Sequence, residues 1–265
     1  MSVKKILVCG GTGFIGKNIV EYFSENSDFN IRGTYYKSKP DYSLDVEWVQ
    51  ADLRILSDVR SVLNNIDIVF QYAATTSGAK DIINQPHIHV TDNAIMNSYL
   101  IRESYEKNVK HFIFPSSTTM YKNGSIPLRE SDLNENDIYE KYFGSGNTKL
   151  YLEKMCRFFS GFNKTKYTVL RQSNLYGPHD KFNLESSHVL AATIVKVMSS
   201  KDYITVWGDG SEQRDFLFIK DLLTLLENVL KIQQPYFQLV NTSFGKSVSV
   251  SELVSVIIQQ SSKSL

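Results

Sequence analysis

The sequence predicts an α/β fold, a doubly wound parallel sheet with helices on both faces and a smaller C-terminal lobe, on three observations. Short apolar runs alternate with segments of helical period through the first two thirds of the chain. Two of those runs, Ile6-Leu7-Val8 and Ile68-Val69-Phe70, are continuously apolar rather than alternating, as strands buried on both faces require. A glycine-rich stretch follows the first run directly and opens a helical segment.

The elements follow in order. Strands are expected at Ile6 to Cys9, Asn30 to Tyr35, Val46 to Ala51, Asp67 to Ala73 and His111 to Ser116. Lys17 to Phe23 and Ala94 to Lys107 carry apolar residues at helical spacing between them, which gives the strand-helix-strand rhythm of crossover units. A further helix is expected over Asn147 to Phe159 and a sixth strand over Tyr167 to Gln172. After Asn174 the rhythm breaks. Loops rich in Gly, Pro, Asp and Asn, at Gly177 to Asn183 and Gly208 to Gln213, separate shorter elements. The chain therefore divides into a domain over residues 1–173 and a smaller lobe over 174–265, set on the carboxyl edge of the sheet.

Composition limits the possible partners. With 265 residues, 42% hydrophobic and 22% charged, the chain has the makings of a packed core and is not a disordered or repeat-only sequence. Lys plus Arg number 29 against 28 Asp plus Glu, a net charge of +1 that offers no field for nucleic acid or an anionic membrane. An anionic ligand must be gripped locally, which favours a small phosphorylated molecule. Two cysteines, Cys9 and Cys156, support neither a disulfide framework nor a thiolate metal cage, so a reducing cytoplasmic setting is expected. No export signal or membrane span is read, and His87 and His89 have no carboxylate or cysteine cluster beside them, so no metal site is expected.

Gly10-Gly11-Thr12-Gly13-Phe14-Ile15-Gly16 carries glycine at its first, fourth and seventh positions between a strand and a helix. Gly10 permits the tight turn, Gly13 lets the backbone approach a pyrophosphate, and Gly16 lets helix pack closely on strand. The helix N-terminus then offers free N–H groups and the positive end of its dipole to the phosphates, with Thr12, Phe14 and Ile15 in the same turn. This is a Rossmann-type dinucleotide site. The second strand ends near Thr34 without the acidic residue that would bind a ribose 2′-hydroxyl. Tyr35, Tyr36, Lys37, Ser38 and Lys39 follow, and the lysines suit a 2′-phosphate, so NADP is expected with NAD as the alternative. Asp52-Leu53 and Ala73-Ala74 sit where the sheet's carboxyl edge meets the adenine and the phosphates.

In their order these pieces resemble the extended short-chain dehydrogenase/reductase family, specifically its nucleotide-sugar epimerases, dehydratases and reductases. The resemblance runs from Gly10–Gly16 through Asp52-Leu53, Ala73-Ala74, Asn93, Ser116 to Tyr121 and Lys149. It continues through Asn174 to Asp180, Trp207 to Gly210, Arg214-Asp215-Phe216 and Asp221-Leu222, almost the whole chain. Asn174 to Phe182 with Ser187-His188-Val189 is most similar to GDP-L-fucose synthase-like enzymes acting on GDP-4-keto-6-deoxy sugars.

The resemblance implies a nicotinamide cofactor in the Rossmann domain, a nucleotide sugar in the smaller lobe and a homodimer through the helices Ala94 to Lys107 and Asn147 to Phe159. It also implies roles. Hydride transfer at a sugar carbon needs a proton moved at the attached oxygen, which the family does with a tyrosine four residues before a lysine and a strand-end hydroxyl. Ser117 matches the hydroxyl and Lys149 the lysine, but Ser145 stands where the tyrosine is expected. On an ideal helix Tyr142 lies about 60° from position 145, about 4.5 Å along the axis, so Tyr142, Tyr139 and Ser145 are all candidates. The Gly144-Ser145-Gly146 stretch makes a regular helix there doubtful. Thr118-Thr119 replaces the acidic pair of a dehydratase and the cysteine of fucose synthase, which leaves ketone reduction, or an epimerisation by His188 alone. Asn93 is expected to order the loop under the site, and Asn174, His188, Lys196, Trp207 and Arg214 to meet the substrate. An NAD-linked epimerase without net cofactor use and a catalytically weak binding protein remain as alternatives.

Overall fold

The computed structural model describes residues 3–75, 86–122, 124, 126–184, 187–206, 208–233 and 235–263. Its strands are β1 (Lys4–Cys9), β2 (Phe29–Tyr35), β3 (Glu47–Gln50), β4 (Ile68–Gln71), β5 (His111–Ser117), β6 (Lys166–Gln172), β7 (Asn174–Tyr176), β8 (Gln213–Phe218), β9 (Phe237–Thr242) and β10 (Ser247–Ser249). The α-helices are α1 (Phe14–Ser24), α2 (Leu56–Val62), α3 (Thr91–Glu106), α4 (Phe143–Ser160), α5 (Val189–Ser199), α6 (Ile219–Lys231) and α7 (Val250–Ser261).

Seven strands pair in the order β3-β2-β1-β4-β5-β6-β9, every neighbour parallel. The α/β doubly wound fold read from the sequence is the fold observed. Strand order reverses between β1 and β4, and at such a switch point the loops leave the carboxyl ends in opposite directions and open a crevice. Alternation of side chains across the sheet divides the core in two. Leu7, Val69 and Phe112 pack on one face with Leu100 and Ile101 of α3 and Leu152 of α4. Ile6, Val8 and Phe70 pack on the other with Ile19 and Phe23 of α1 and Leu222 and Leu226 of α6.

After Asn174 the chain builds a three-stranded sheet in the order β10-β8-β7. It does not stay there. Residues 219–242 return to the large sheet: α6 covers its second face beside α1, and β9 pairs with β6 as an edge strand. Phe237–Thr242 reads Phe-Gln-Leu-Val-Asn-Thr, half-buried at most positions, so it lacks the continuous apolar signature of the inner strands.

Helix α4 begins at Phe143 and runs through Gly144-Ser145-Gly146 as regular helix, where the glycines had argued for loosened geometry. Packing explains them. A Cβ on Gly146 would lie 2.7 Å from Ile138 Cγ2, and one on Gly144 would lie 3.0 Å from Val90 Cγ2.

His111, buried at the start of β5, shares a hydrogen bond between its Nε2 and the Thr168 hydroxyl at 2.8 Å. Burial first, then the charges of Lys166 and Lys4, depress the imidazole from 6.5 to about 4. The ring is neutral in the fold but protonates near pH 6.5 once unfolded. Its contribution is therefore intact above that pH and erodes as pH falls towards 4, by on the order of 3 kcal/mol in full. Thermal melting should show Tm falling across this window, and His111→Gln should flatten the slope between about pH 6.5 and 5, above the range where carboxylates titrate.

Candidate active site

The turn after β1 holds the crevice in shape. Gly10 has φ +71, and a Cβ there would lie 2.8 Å from the Ala73 backbone. A Cβ on Gly16 would overlap the Gly10 carbonyl, so β1, α1 and the end of β4 meet at distances only glycine allows. Gly10 N–H donates to the Thr34 hydroxyl at 3.0 Å and Gly11 N–H to the Thr34 carbonyl at 2.8 Å, which ties the turn to β2. Gly13 caps α1 in extended conformation with no side-chain cap and no acidic residue in the first turn. Its missing Cβ would meet only the Gly10 oxygen at 3.4 Å. The first-turn N–H groups therefore face open space, a seat for an anion.

A cavity of about 410 Å³ extends from this turn along the carboxyl ends of β4, β5 and β6. It is lined by Phe14, Ile15, Ala73, Ala74, Asn93, Ser117, Thr118, Thr119, Ser145, Lys149, Asn174 and His188, all residues that the sequence singles out. Asn93 holds the segment after Ala74. Its Oδ1 accepts from Thr75 N–H at 2.9 Å, and its Nδ2 donates to the carbonyls of Thr75 and His89 at 3.0 and 2.9 Å.

Lys149 lies on the inner face of α4, its Nζ donating to the Pro115 carbonyl at 2.5 Å and 4.8 Å from the centre of the Phe114 ring. Burial pushes its ammonium down to about 8, and the charge of Glu153 opposes that shift. The Ser117 and Thr119 hydroxyls share a hydrogen bond of 2.9 Å, and the Thr118 hydroxyl donates to the Gln172 carbonyl at 3.3 Å.

Tyr142 lies elsewhere. It ends a 3-10 turn over Glu140–Tyr142 and caps α4 rather than joining it, so spacing along an ideal helix does not carry it into the cleft. Its ring packs against Tyr139 at 5.9 Å and lines a neighbouring cavity of about 450 Å³, which shares only His89 and Ser145 with the cleft. Ser145 donates to the Tyr142 carbonyl at 3.3 Å.

Just after β3, the Asp52 carboxylate is clamped by Arg54, whose Nε and Nη2 donate to it at 2.9 and 2.7 Å and hold it below the usual carboxylate range. Arg54 also reaches Asp92 at 2.9 Å and the Tyr36 hydroxyl at 3.3 Å. Leu53 is core. Lys37 stands 5.4 Å over the Tyr36 ring, and among the described residues neither Lys37 nor Lys39 is in an ion pair. In the smaller lobe, Asn174 Nδ2 donates to the Asp215 carbonyl at 2.9 Å and His188 is an exposed cap of α5. Lys196 donates to the Thr205 carbonyl and exposed Arg214 to the Gln213 carbonyl, and neither lines the cleft. Trp207 lies outside the described residues.

Sequence reasoning missed the buried charges behind the cleft. Arg171 donates to both carboxylate oxygens of Glu153, at 3.1 and 2.7 Å, and Ser116 donates to the same carboxylate at 2.5 Å. Arg171 also donates to the Tyr121 hydroxyl at 2.8 Å, which in turn donates to Asn241 Oδ1 at 2.8 Å. The available signal was an arginine directly after Val169-Leu170 in the expected strand Tyr167 to Gln172, a position that demands a partner if buried.

The model of the NAD dependent epimerase/dehydratase family matches residues 6–235. The chain belongs to that family. Members of the NAD dependent epimerase/dehydratase family similar to it include a GDP-L-fucose synthase of Azorhizobium caulinodans, 27% identical over 96% of this chain and 80% of that one. A GDP-mannose 3,5-epimerase of Arabidopsis thaliana is 26% identical over 98% of this chain and 70% of its own length. Among solved structures, a UDP-glucose 4-epimerase of Thermotoga maritima with UDP-glucose has a TM-score of 0.83 and 24% identity, covering 98% of this chain and 84% of that one, a likeness of fold. This family uses a nicotinamide dinucleotide, and the uncapped helix and open space at Gly13 fit its pyrophosphate.

Two glycine substitutions separate fold from binding. Gly13→Ala should leave Tm within about 2 °C of wild type, because its Cβ meets nothing closer than 3.4 Å, yet weaken binding of the reduced nicotinamide dinucleotide at least tenfold in a fluorescence titration. Gly16→Ala, whose Cβ overlaps backbone, should lower Tm as well.

Proposed function

We propose that the protein reduces the ketone of a nucleotide-linked 4-keto-6-deoxy sugar, GDP-linked, with NADPH. One observation carries this reading: among the described residues lining the cleft there is one lysine or arginine, the half-buried Lys149, with hydroxyls and two histidines, and no Asp or Glu. Elimination of water across a sugar requires an acid to protonate the leaving oxygen, and threonines cannot serve. Reduction requires only a hydride and a proton. The bound cofactor supplies the hydride. Phe14 and Ile15 offer N–H groups to its pyrophosphate, Lys149 holds a positive charge beside the reacting oxygen, and the Ser117 and Thr119 hydroxyls can hydrogen-bond that oxygen. His188 stands at the rim as a second acid/base.

Lys37 and Lys39 support NADP over NAD, since both are available to a 2′-phosphate. A second reading, epimerisation by oxidation and re-reduction without net cofactor use, is supported by the 3,5-epimerase and 4-epimerase relatives. Cofactor accounting separates the two. GDP-4-keto-6-deoxymannose should consume NADPH mole for mole at 340 nm, and the epimerase reading expects no net change. Lys37→Ala with Lys39→Ala should raise KM for NADPH about tenfold while leaving that for NADH unchanged.

We further propose a homodimer through the outer faces of α3 and α4. Tyr151 and Phe158, two helical turns apart on α4, are 50% and 64% exposed, and Ile95 of α3 is 38% exposed. Phe158→Glu should convert a dimer of the wild type to monomer in sedimentation velocity, with little change in the far-ultraviolet spectrum.

A further inference from the structure

We propose that Lys149 itself carries the proton to and from the reacting oxygen in this chain, and that the buried Glu153–Arg171 pair is the device that keeps it charged and in place. The inference deepens the ketone-reductase assignment and rests on it.

Its first ground is what the cleft lacks. The one tyrosine among its described lining residues is Tyr72, whose hydroxyl accepts from Gln172 Nε2 at 2.9 Å and whose phenol burial pushes well up. Tyr142 lies in the neighbouring cavity. The remaining hydroxyls are aliphatic, and three already donate to backbone: Thr148 to the Gly144 carbonyl at 2.9 Å, and Ser145 to the Tyr142 carbonyl and Thr118 to the Gln172 carbonyl, each at 3.3 Å. An aliphatic hydroxyl passes protons on but is too weak an acid to supply one at neutral pH.

The second ground is what Lys149 has. An ammonium carries three N–H donors, and the structure uses one, to Pro115. Burial beside the Phe114 ring brings its pKa to about 8, close to where a general acid works best. Glu153, one helical turn on, opposes that shift. Its carboxylate is held back by Arg171 and Ser116, so it supports the positive charge from a distance rather than by ion-pairing with it. The groups in contact with Lys149 are the Pro115 carbonyl and the Phe114 ring on β5; Ser116 on β5 bonds Glu153, and the Cys156 thiol on α4 is kept protonated by burial and by Glu153. Arg171 stands behind Glu153 on β6, and His89 and His188 line the cleft. Glu153 is thus a positioning residue and Lys149 the catalytic one.

The step balances. The ketone oxygen takes a proton from Nζ as its carbon takes the hydride supplied by reduced nicotinamide, so ketone becomes alcohol, the dinucleotide is oxidised, and Lys149 is left as an amine that water re-protonates through the cleft hydroxyls.

The test has one readout that needs no turnover. Competitive acylation with acetic anhydride against pH, read as modification of the Lys149 peptide by mass spectrometry, should give a midpoint near 8, and Glu153→Gln should move it at least half a unit towards acid. A wild-type midpoint above 10, or no movement in Glu153→Gln, overturns the inference. Should Glu153→Gln not fold, Glu153→Met paired with Arg171→Met replaces it, since an apolar pair can substitute for a buried ion pair; movement of the midpoint towards acid supports the inference, and no movement or movement towards alkali overturns it. The second readout is chemical rescue with NADPH and GDP-4-keto-6-deoxymannose. Lys149→Ala should lose at least 100-fold in kcat while still binding NADPH by fluorescence. Added ethanolamine and methylamine, as their ammonium ions, should restore part of that loss, in the order of the ammonium ions' acidity. Binding without rescue, or a larger loss in His188→Asn than in Lys149→Ala, assigns the proton to another group. If wild type consumes no NADPH with this ketone, the substrate assignment fails, while the acylation midpoint still decides the state of Lys149.

Discussion

The close approach between the turn after β1 and the first turn of α1 sets the rest of the cleft. A side chain at position 16 would overlap the Gly10 carbonyl, and one at position 10 would press on Ala73 at the end of β4. Three elements therefore meet at backbone separation. The amino end of α1 arrives at the switch point between β1 and β4 with its N–H groups unused, and a phosphate-bearing ligand is the partner that satisfies them. Because β5 and β6 continue the sheet from β4, and α4 packs against Phe112 and Val69 through Leu152, Lys149 is delivered to the same crevice from the other side. Cofactor seat and cation are thus placed by packing on a rigid sheet, with only the loops between them free to vary.

That arrangement explains which parts were legible in the sequence. Inner strands such as Ile6 to Cys9 and Ile68 to Gln71 are buried on both faces, so they read as unbroken apolar runs and were placed within a residue or two. Edge strand β9 is half-buried and mixes Gln, Asn and Thr with its apolar residues, and no local signal says that the chain returns to the large sheet after leaving it. The start of α4 was misjudged because glycine is a poor helix former in isolation, whereas here the helix is held by contacts that only glycine permits, with Ile138 and Val90. Lys149 and Ser117 were picked out by the family resemblance, and both line the cleft. Glu153 was not: one residue in an amphipathic helix does not announce that its partner is an arginine in a strand eighteen residues later.

Buried charge is the least favourable material in such a core, and the fold uses it sparingly. Glu103, on α3, is taken up by Arg60 and Arg102, both of which reach solvent. Glu153 and Arg171 are buried together, at 5% and 4% side-chain exposure. A pair of that kind adds little net stability, because desolvation offsets its Coulombic gain, yet removing one partner costs about 3–5 kcal/mol. What it does add is geometry. Through Ser116, Tyr121 and Asn241 it joins α4, β5, β6 and β9 into one hydrogen-bonded unit directly behind the strand-end hydroxyls.

The distance between Lys149 and its carboxylate then acquires meaning. A carboxylate bonded directly to the ammonium would hold the proton too tightly, and burial with no carboxylate at all would strip it off. Among the described residues Lys149 forms no ion pair, and the carboxylate one turn away is already committed to Arg171 and Ser116. The ammonium is left between those limits, charged at neutral pH but able to release its proton. In a cleft whose expected tyrosine is a serine, that intermediate state is the property a proton carrier needs, and it comes first from burial of the ammonium, opposed by a Glu153 carboxylate that Arg171 holds back.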